Sequence, residues 1–147
     1  MKLKILSFTP IIYLAISSFL FSCSNDDDIP NYSFGFIPAS EINYNEDSIQ
    51  PVNKVTKIAV TFKLKNSCQE FLEFKTLDTS SKNNITDIGI YGAQINYVNC
   101  DNPNEITLTK YYNFIPKKAG LNEIRAWIGR DTNGNHQFIS KTIEIPE

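Results

Sequence analysis

The sequence predicts an all-β domain, built as an antiparallel β-sandwich or barrel of about seven strands, and three observations predict it. Apolar and polar residues alternate over most of the chain after residue 31, which is the pattern of half-buried strands. No stretch of this part sustains the helical period of an amphipathic helix. Clusters of Asn, Gly and Pro separate the alternating runs at short intervals, as turns separate the strands of such folds.

Each strand is predicted from its own alternation of apolar residues. Residues 57–65 form the clearest one, because Ile58 begins a run in which every second residue is apolar. Residues 88–97 change the parity of their apolar positions at Gly92, which predicts a bulge or a bend there. Leu72 and Phe74 mark a shorter strand. A further strand, which ends at Pro116, is marked by Ile106, Leu108, Tyr112 and Phe114.

The last hairpin has a predicted register. Asn133-Gly134 is a strong signal for a two-residue turn. Centring the turn on this dipeptide predicts three inward-facing pairs, which are Ile128 with Ile139, Ala126 with Lys141, and Ile124 with Ile143.

The same register predicts an aromatic patch on the outer face of this hairpin. It places Trp127 across from Ser140 and diagonal to Phe138, with Arg125 beside it. An aromatic ring on a flat sheet can stack on a sugar, and a nearby arginine can hydrogen-bond its hydroxyls; the same set can anchor a protein contact. Alternatively, the aromatic segment 32–37 covers this face as an extra strand. Trp127, Phe138 and Arg125 are therefore the ligand-binding candidates.

Residues 114–145 carry a resemblance to a known fold family. Pro116 and Gly120 precede a penultimate strand, and a hairpin then leads to a last strand that ends in alternating aliphatic residues. This stretch resembles the final strands of bacterial immunoglobulin-like domains, although Leu121 and Asn122 stand where such domains commonly have a tyrosine after the glycine. The resemblance implies an immunoglobulin-like sandwich.

The N-terminus has the layout of a secretory signal, since Lys2 and Lys4 precede an uncharged apolar run over residues 5–21. The sequence around Cys23 resembles a lipobox, in which Leu20 lies three residues before the cysteine and a small residue directly precedes it. The resemblance implies cleavage before Cys23 and its modification by diacylglycerol and a further fatty acid such as palmitate, which together anchor a protein stably. The predicted organisation is a signal peptide at 1–22, a lipidated, acidic tether at 23–31 and one domain at 32–147.

An acidic tract follows the cysteine directly. It is similar to the export signal that follows the lipidated cysteine in many surface lipoproteins of Bacteroidetes-type bacteria, and it comprises Ser24, Asn25, Asp26, Asp27 and Asp28. The resemblance implies a location on the outer membrane, at the cell surface. The alternative interpretation is a solvated spacer that keeps the domain away from the membrane.

Composition limits the class of partner. Without the two lysines of the signal, 12 basic residues stand against 16 acidic ones, a formal charge of −4, which has little attraction for nucleic acid. In an exported protein, Cys68 and Cys100 are expected to form a disulfide. Closing a loop of about 33 residues stabilises a fold by roughly 3.5 kcal/mol on the chain-entropy model.

No pattern of a catalytic or metal site is present in the sequence, so we expect neither an enzyme nor a cofactor. His136 is the single histidine, and the chain has no nucleophile elbow or phosphate loop. Asp131 begins a loop with oxygen ligands at alternate positions, but no glutamate closes it, so a hairpin turn is predicted there. Asp47-Ser48-Ile49 resembles the O-glycosylation acceptor of Bacteroidetes, which makes Ser48 a candidate.

Three hypotheses for the function follow. In the first, the protein is a membrane-anchored surface lipoprotein that binds glycans without catalysis through the face around Trp127. In the second, it is a structural or accessory subunit that docks on an outer-membrane protein complex. In the third, it is a small hydrolase or an inhibitor.

Overall fold

The computed structural model describes residues 31–78, 84–96, 100 and 104–147. The predicted signal peptide, Cys23 and the acidic tract at 24–28 lie outside the described residues. In the described ranges no helix has the length and apolar character needed to cross a membrane. The same ranges contain one short 3₁₀ turn, Glu46–Ser48, and eight strands, which are β1 Tyr32–Ile37, β2 Ala39–Tyr44, β3 Thr56–Leu64, β4 Gln69–Leu77, β5 Ile85–Ile95, β6 Ile106–Phe114, β7 Gly120–Arg130 and β8 His136–Ile145.

The strands form two sheets, which confirms the predicted β-sandwich. Sheet A contains β4, β5, β1, β7 and β8, and sheet B contains β2, β3 and β6. β5 is central in sheet A: β4 pairs along one edge, while the other edge is shared by β1 and β7. All pairs are antiparallel except β5 with β7. The arrangement is consistent with an immunoglobulin-like sandwich, with eight strands where about seven were expected.

The core lies between the sheets and follows from the alternation in sequence. β3 contributes Ile58, Val60 and Phe62, none of which is exposed to solvent. Sheet A supplies the facing side chains, chiefly isoleucines, which are Ile88, Ile90, Ile124, Ile143 and Ile145. Because burying one such side chain contributes about 1.5–3 kcal/mol, this shared core is the main stabilising term of the fold.

The irregularity predicted at Gly92 lies on the neighbouring strand. β5 is continuous through Gly92, and the register shift falls in β4, between Phe71 and Glu73. A Cβ atom at position 92 would lie 2.6 Å from the carbonyl oxygen of Glu70 and 2.5 Å from a side-chain carbon of Ile37. The prediction of a bulge or bend in β5 is therefore wrong, because this glycine allows two neighbours to approach closely instead.

The disulfide between Cys68 and Cys100 is present, with 5.7 Å between the Cα atoms. It joins the chain just before β4 to the chain beyond β5. Since β5 does not reverse at Gly92 and runs parallel to β7, its end and the 131–135 turn point to the same end of the sandwich.

The predicted register of the last hairpin is wrong by two residues. The loop spans five residues, with the amide of Asp131 donating to the carbonyl of Asn135, and a bulge places Ile128 outside the pairing. Each feature shifts the register by one residue, so the two shifts together restore the original faces. Ile128 is 37% exposed rather than inward-facing, and the observed pairs are Ala126 with Ile139, Ile124 with Lys141, and Asn122 with Ile143.

Candidate functional site

The outer face of sheet A carries a continuous set of aromatic side chains. They occupy every second position of their strands, since successive side chains point to opposite faces of a sheet. We call this set the aromatic face; it comprises Tyr32, Phe34 and Phe36 of β1, Tyr91 of β5, Trp127 of β7, and His136 and Phe138 of β8.

The most exposed rings of the aromatic face lie on β1. Phe34 is 60% exposed and Tyr32 is 46% exposed, whereas Tyr91, Trp127 and Phe138 are half-buried. Tyr32 and Phe34 lie 6.3 Å apart with their planes at 23°, and Phe34 and Tyr91 lie 6.4 Å apart at 15°. Three neighbouring rings therefore share nearly one orientation.

Trp127 is held in place from two sides. Its ring lies 5.7 Å from that of Phe36, and its Nε1 donates to Nδ1 of His136 at 2.9 Å. An imidazole that accepts at Nδ1 and is neutral carries its proton on Nε2. Trp127 faces Phe138 directly in the register, so the prediction that it lies across from Ser140 is wrong.

Arg125 forms an ion pair that joins β5 to β7. Its Nε and Nη2 donate to the two carboxylate oxygens of Asp87 at 2.5 and 2.6 Å, and Phe138 lies 4.8 Å from its Cζ. The side chain of Asp87 is 0% exposed and that of Arg125 is 25% exposed. The hydrogen bond to Asp87 raises the pKa of Arg125. Arg125 therefore uses two of its donors to hold the sheet together, which differs from the sugar-binding role expected of it.

The segment 32–37 does not cover the aromatic face. It joins sheet A in the plane as β1, with Phe36 paired opposite Tyr91, so its aromatic residues extend the face that it was expected to hide. The ring of Phe36 lies against the backbone of β5, where a Cβ atom at Gly89 would be 2.6 Å from its Cε1. The glycine is needed for this close approach.

Two cations of this face, Lys75 and Arg125, are each paired with a carboxylate. Lys75 lies 3.5 Å from Glu73 and 3.5 Å from the centre of the Tyr91 ring, and Arg125 is paired with Asp87. An opposite charge thus accompanies each of these two cations, while Arg130, across from His136, donates to the carbonyl oxygen of Gly134. An uncharged ligand suits the surface beside Lys75 and Arg125 best.

The loop after β7 is a hairpin turn, as predicted. Oδ1 of Asp131 accepts from the amides of Asn133 and Asn135 at 2.9 and 2.8 Å. The side-chain hydrogen bond from Asn135 is the largest cause that lowers the pKa of Asp131. Within the part of the chain that the structure describes, no three His, Cys, Asp or Glu side chains are grouped so that they would hold a metal ion.

Ser48, the O-glycosylation candidate, is the last residue of the 3₁₀ turn and is half-buried. Its Oγ donates to the carbonyl of Asn45 at 2.7 Å. Glycosylation of this hydroxyl would remove that hydrogen bond, because the oxygen would no longer carry a proton. That Ser48 is a glycosylation site stays a prediction.

Comparisons with known proteins assign no family to this chain. A scan against protein-family models finds no match, and neither do searches of curated proteins and of solved structures. The functional argument therefore depends on the site alone.

Sequence reasoning found part of the aromatic face and missed the rest. Trp127, Phe138 and Arg125 are brought together as predicted, but they form its half-buried base. Tyr32 and Phe34 supply the most exposed rings, and the half-buried Tyr91 lies nearly parallel to Phe34. The alternation of aromatic residues in the segment 32–37 is the signal for Tyr32 and Phe34, and it fits both an exposed strand and the alternative of a covering strand.

Proposed function

We propose that this protein is a non-catalytic binding module that recognises neutral glycans through its aromatic face. The observation that carries the proposal is a set of three nearly parallel rings, in which Tyr32 and Phe34 are exposed and Tyr91 is half-buried. The apolar face of a sugar ring packs well on an exposed aromatic ring, because both surfaces are flat and poorly hydrated.

Polar groups suited to sugar hydroxyls surround these rings. The phenol groups of Tyr32 and Tyr91 can both donate and accept hydrogen bonds. His136 accepts from Trp127 through Nδ1, so its Nε2 is the ring nitrogen available to a ligand. The paired charges of the face favour a ligand without charge.

The base beneath the rings is rigid, which favours binding. Trp127 is fixed by its hydrogen bond to His136, and the ion pair of Arg125 with Asp87 lies alongside Phe138. A surface that is ordered before the ligand arrives loses less conformational entropy on binding.

The predicted lipid anchor determines where this module would work. A lipidated Cys23 followed by the acidic tract at 24–28 would hold the domain on the outer membrane of a Bacteroidetes-type bacterium, facing outward. The tether and anchor are supported by the sequence resemblance alone. In this location the protein would capture polysaccharide at the cell surface.

Docking on an outer-membrane protein is the second candidate function. Tyr32, Phe34 and Phe36 together expose a contiguous apolar surface, and tyrosine and tryptophan are enriched where protein interfaces contribute most of their affinity. A protein partner would cover the same rings, so the test below separates the two ligands.

The experiment uses the full chain in detergent, titrated with a panel of neutral polysaccharides while Trp127 fluorescence is recorded. We expect saturable binding that changes the emission, and an affinity at least about tenfold weaker in Phe34→Ala. Ile115→Ala, which removes an exposed apolar side chain outside the aromatic face, is the control and should bind normally. Absence of binding to every neutral glycan, or full affinity in Phe34→Ala, would reject glycan recognition. An outer-membrane protein that co-purifies with the native chain but not with Phe34→Ala would establish docking instead.

A further inference from the structure

A second surface with a different chemistry lies on the opposite side of the molecule. A groove of about 720 Å³ runs over the outer face of sheet B; we call it the sheet B groove. Asn43, Ala59 and Tyr111 stand in one row across β2, β3 and β6, because Asn43 pairs with Ala59 and Ala59 pairs with Tyr111. The small side chain of Ala59 leaves the floor open between its two larger neighbours.

The wall of the sheet B groove is the segment 45–55, and hydrogen bonds hold it in place. The amide of Gln50 donates to Oγ1 of Thr56 at 2.9 Å, and Thr56 is completely buried. The amide of Asn53 donates to the carbonyl of Pro116 at 2.9 Å. The groove is therefore pre-formed, as binding sites for small molecules usually are.

The lining of the groove combines aromatic, amide and cationic groups. Tyr111 is 64% exposed on the floor, and the amides of Asn43, Asn45 and Gln50 line the same space. Lys54 and Lys57 are the charged residues of the lining, and the two carboxylates of the wall segment, Glu46 and Asp47, are not among the lining residues. In the described part of the chain, neither lysine takes part in an ion pair.

We propose that the sheet B groove binds an anionic saccharide. Tyr111 would pack against a sugar ring, the amides would bind its hydroxyls, and Lys54 and Lys57 would face its carboxylate, sulfate or phosphate groups. A neutral sugar would leave the two lysines unused, and a small inorganic anion would leave the aromatic floor unused. The site is separate from the aromatic face, so it does not depend on the function proposed for that face.

The first test compares charged and uncharged sugars on the full chain in detergent. A glycan array that carries uronic, sulfated, phosphorylated and neutral saccharides identifies which classes are retained. The best acidic glycan is then titrated beside the same glycan with its acidic groups removed. We expect the uncharged form to bind at least about tenfold more weakly, and affinity for the acidic form to fall as salt is added. Retention of no acidic glycan, or equal affinity for both forms, would overturn the proposal.

Variants then locate the site. Ala59→Tyr fills the floor of the groove and should weaken binding of the acidic glycan at least about tenfold. Lys63→Tyr places the same side chain on the same strand and face, at a position outside the groove lining, and should bind as the native chain does. Lys57→Met should weaken binding of the acidic glycan several-fold. It tests the assignment independently if Ala59→Tyr fails to fold. Unchanged affinity in folded Ala59→Tyr or in Lys57→Met would overturn the assignment.

The two proposed sites are distinguished by a crossed comparison. Phe34→Ala should leave the acidic glycan bound to the sheet B groove, while Ala59→Tyr should leave neutral glycans bound to the aromatic face. Loss of the acidic glycan in Phe34→Ala would place that ligand on sheet A and overturn the assignment to sheet B.

Discussion

The two outer faces of this sandwich differ sharply, although the two inner faces are alike. Sheet A presents aromatic rings with paired charges, whereas sheet B presents a polar groove whose lining holds two lysines. Both sheets turn isoleucine and phenylalanine inward. The comparison shows that the inner alternation specifies the fold, while the outward positions are free to differ and carry the binding chemistry.

The two sheets also differ in how they are held together. In sheet B, β3 and β6 pair without interruption over nine residues, and the register of β2 with β3 shifts once, between Ala39 and Glu41. Sheet A contains two bulges and one parallel pair, and it is reinforced by a disulfide and a buried ion pair. Sheet A, the more irregular of the two, therefore depends on particular residues to a greater degree than sheet B, and the four predictions below test this difference.

The largest effect is expected from Arg125→Met. It leaves the carboxylate of Asp87 buried without its bidentate partner, and breaking one side of a buried pair costs about 3–5 kcal/mol. Denaturant unfolding measures this loss of free energy. Lys63→Met, which breaks the exposed pair with Glu105 in sheet B, is the control and should change stability little.

A double variant sharpens this prediction. Asp87→Leu combined with Arg125→Met removes both charges, and replacing a buried pair by apolar side chains is often neutral. It should therefore recover most of the stability lost in Arg125→Met. A loss below about 1 kcal/mol in the single variant would show that sheet A does not depend on the pair.

Removal of the disulfide should have the next largest effect. The bond spans a sequence separation of 32 residues, so Cys68→Ser with Cys100→Ser should lower the free energy of unfolding by roughly 3.5 kcal/mol on the chain-entropy model. Because the disulfide ties β4 to β5, native-state hydrogen exchange should accelerate more in β4 than in β6. Equal acceleration in both strands would show that the disulfide does not stabilise sheet A selectively.

Gly89→Ala should alter the aromatic face with a smaller effect on stability. Its Cβ atom would lie 2.6 Å from Cε1 of Phe36, so the ring has to move away. The overpacking cost of about 1–3 kcal/mol is partly offset by the roughly 0.5–1 kcal/mol that a strand gains on replacing glycine. We expect a change in the emission of Trp127, which contacts Phe36.

Gly35→Ala is the matched control for Gly89→Ala. It lies in β1, and a Cβ atom there would meet nothing within 4 Å. It should leave both the stability and the Trp127 emission close to those of the native chain. If both variants shift the emission equally, the contact at Gly89 does not position the aromatic face.

The smallest effect is expected from Asp131→Asn, in the turn that closes the last hairpin of sheet A. The hydrogen bonds from Asn135 lower the pKa of Asp131 below its ordinary value of 3.8. Its contribution to stability is therefore fully present above pH 3.8 and is lost as the pH falls through the lower pKa of the folded state. Thermal melting should show a small deficit in the variant at neutral pH that disappears in strong acid. A deficit that persists in acid would reject the ionic explanation.

Much of the fold was predictable because a strand has a period of two residues. The even positions of β3 are buried as expected, and Trp127 lies on the outer face although the hairpin register was wrong. Two shifts of one residue cancel in their effect on which face a side chain occupies. The same two shifts do change which residue lies opposite on the neighbouring strand, so Trp127 lies opposite Phe138 and not Ser140.

The candidate site was predicted less completely, for a related reason. The aromatic residues of the segment 32–37 were recognised, but alternation does not say whether a strand lies beside a sheet or over it. Pairing with β5 decided this, and it turned an expected cover into the most exposed part of the aromatic face. The sheet B groove had no local signal, because its row of Asn43, Ala59 and Tyr111 comes from three separate strands.

The sequence by itself determined the all-β class, the buried face of β3 and the pairing of Cys68 with Cys100. These follow from local alternation and from there being two cysteines outside the predicted signal and lipobox. Only the tertiary structure decided which strands are neighbours. The parallel pairing of β5 with β7 brings Asp87 to Arg125 across 38 residues of sequence. Such contacts depend on the free energy of the whole packed arrangement, and a local pattern of polar and apolar residues contains no information on it.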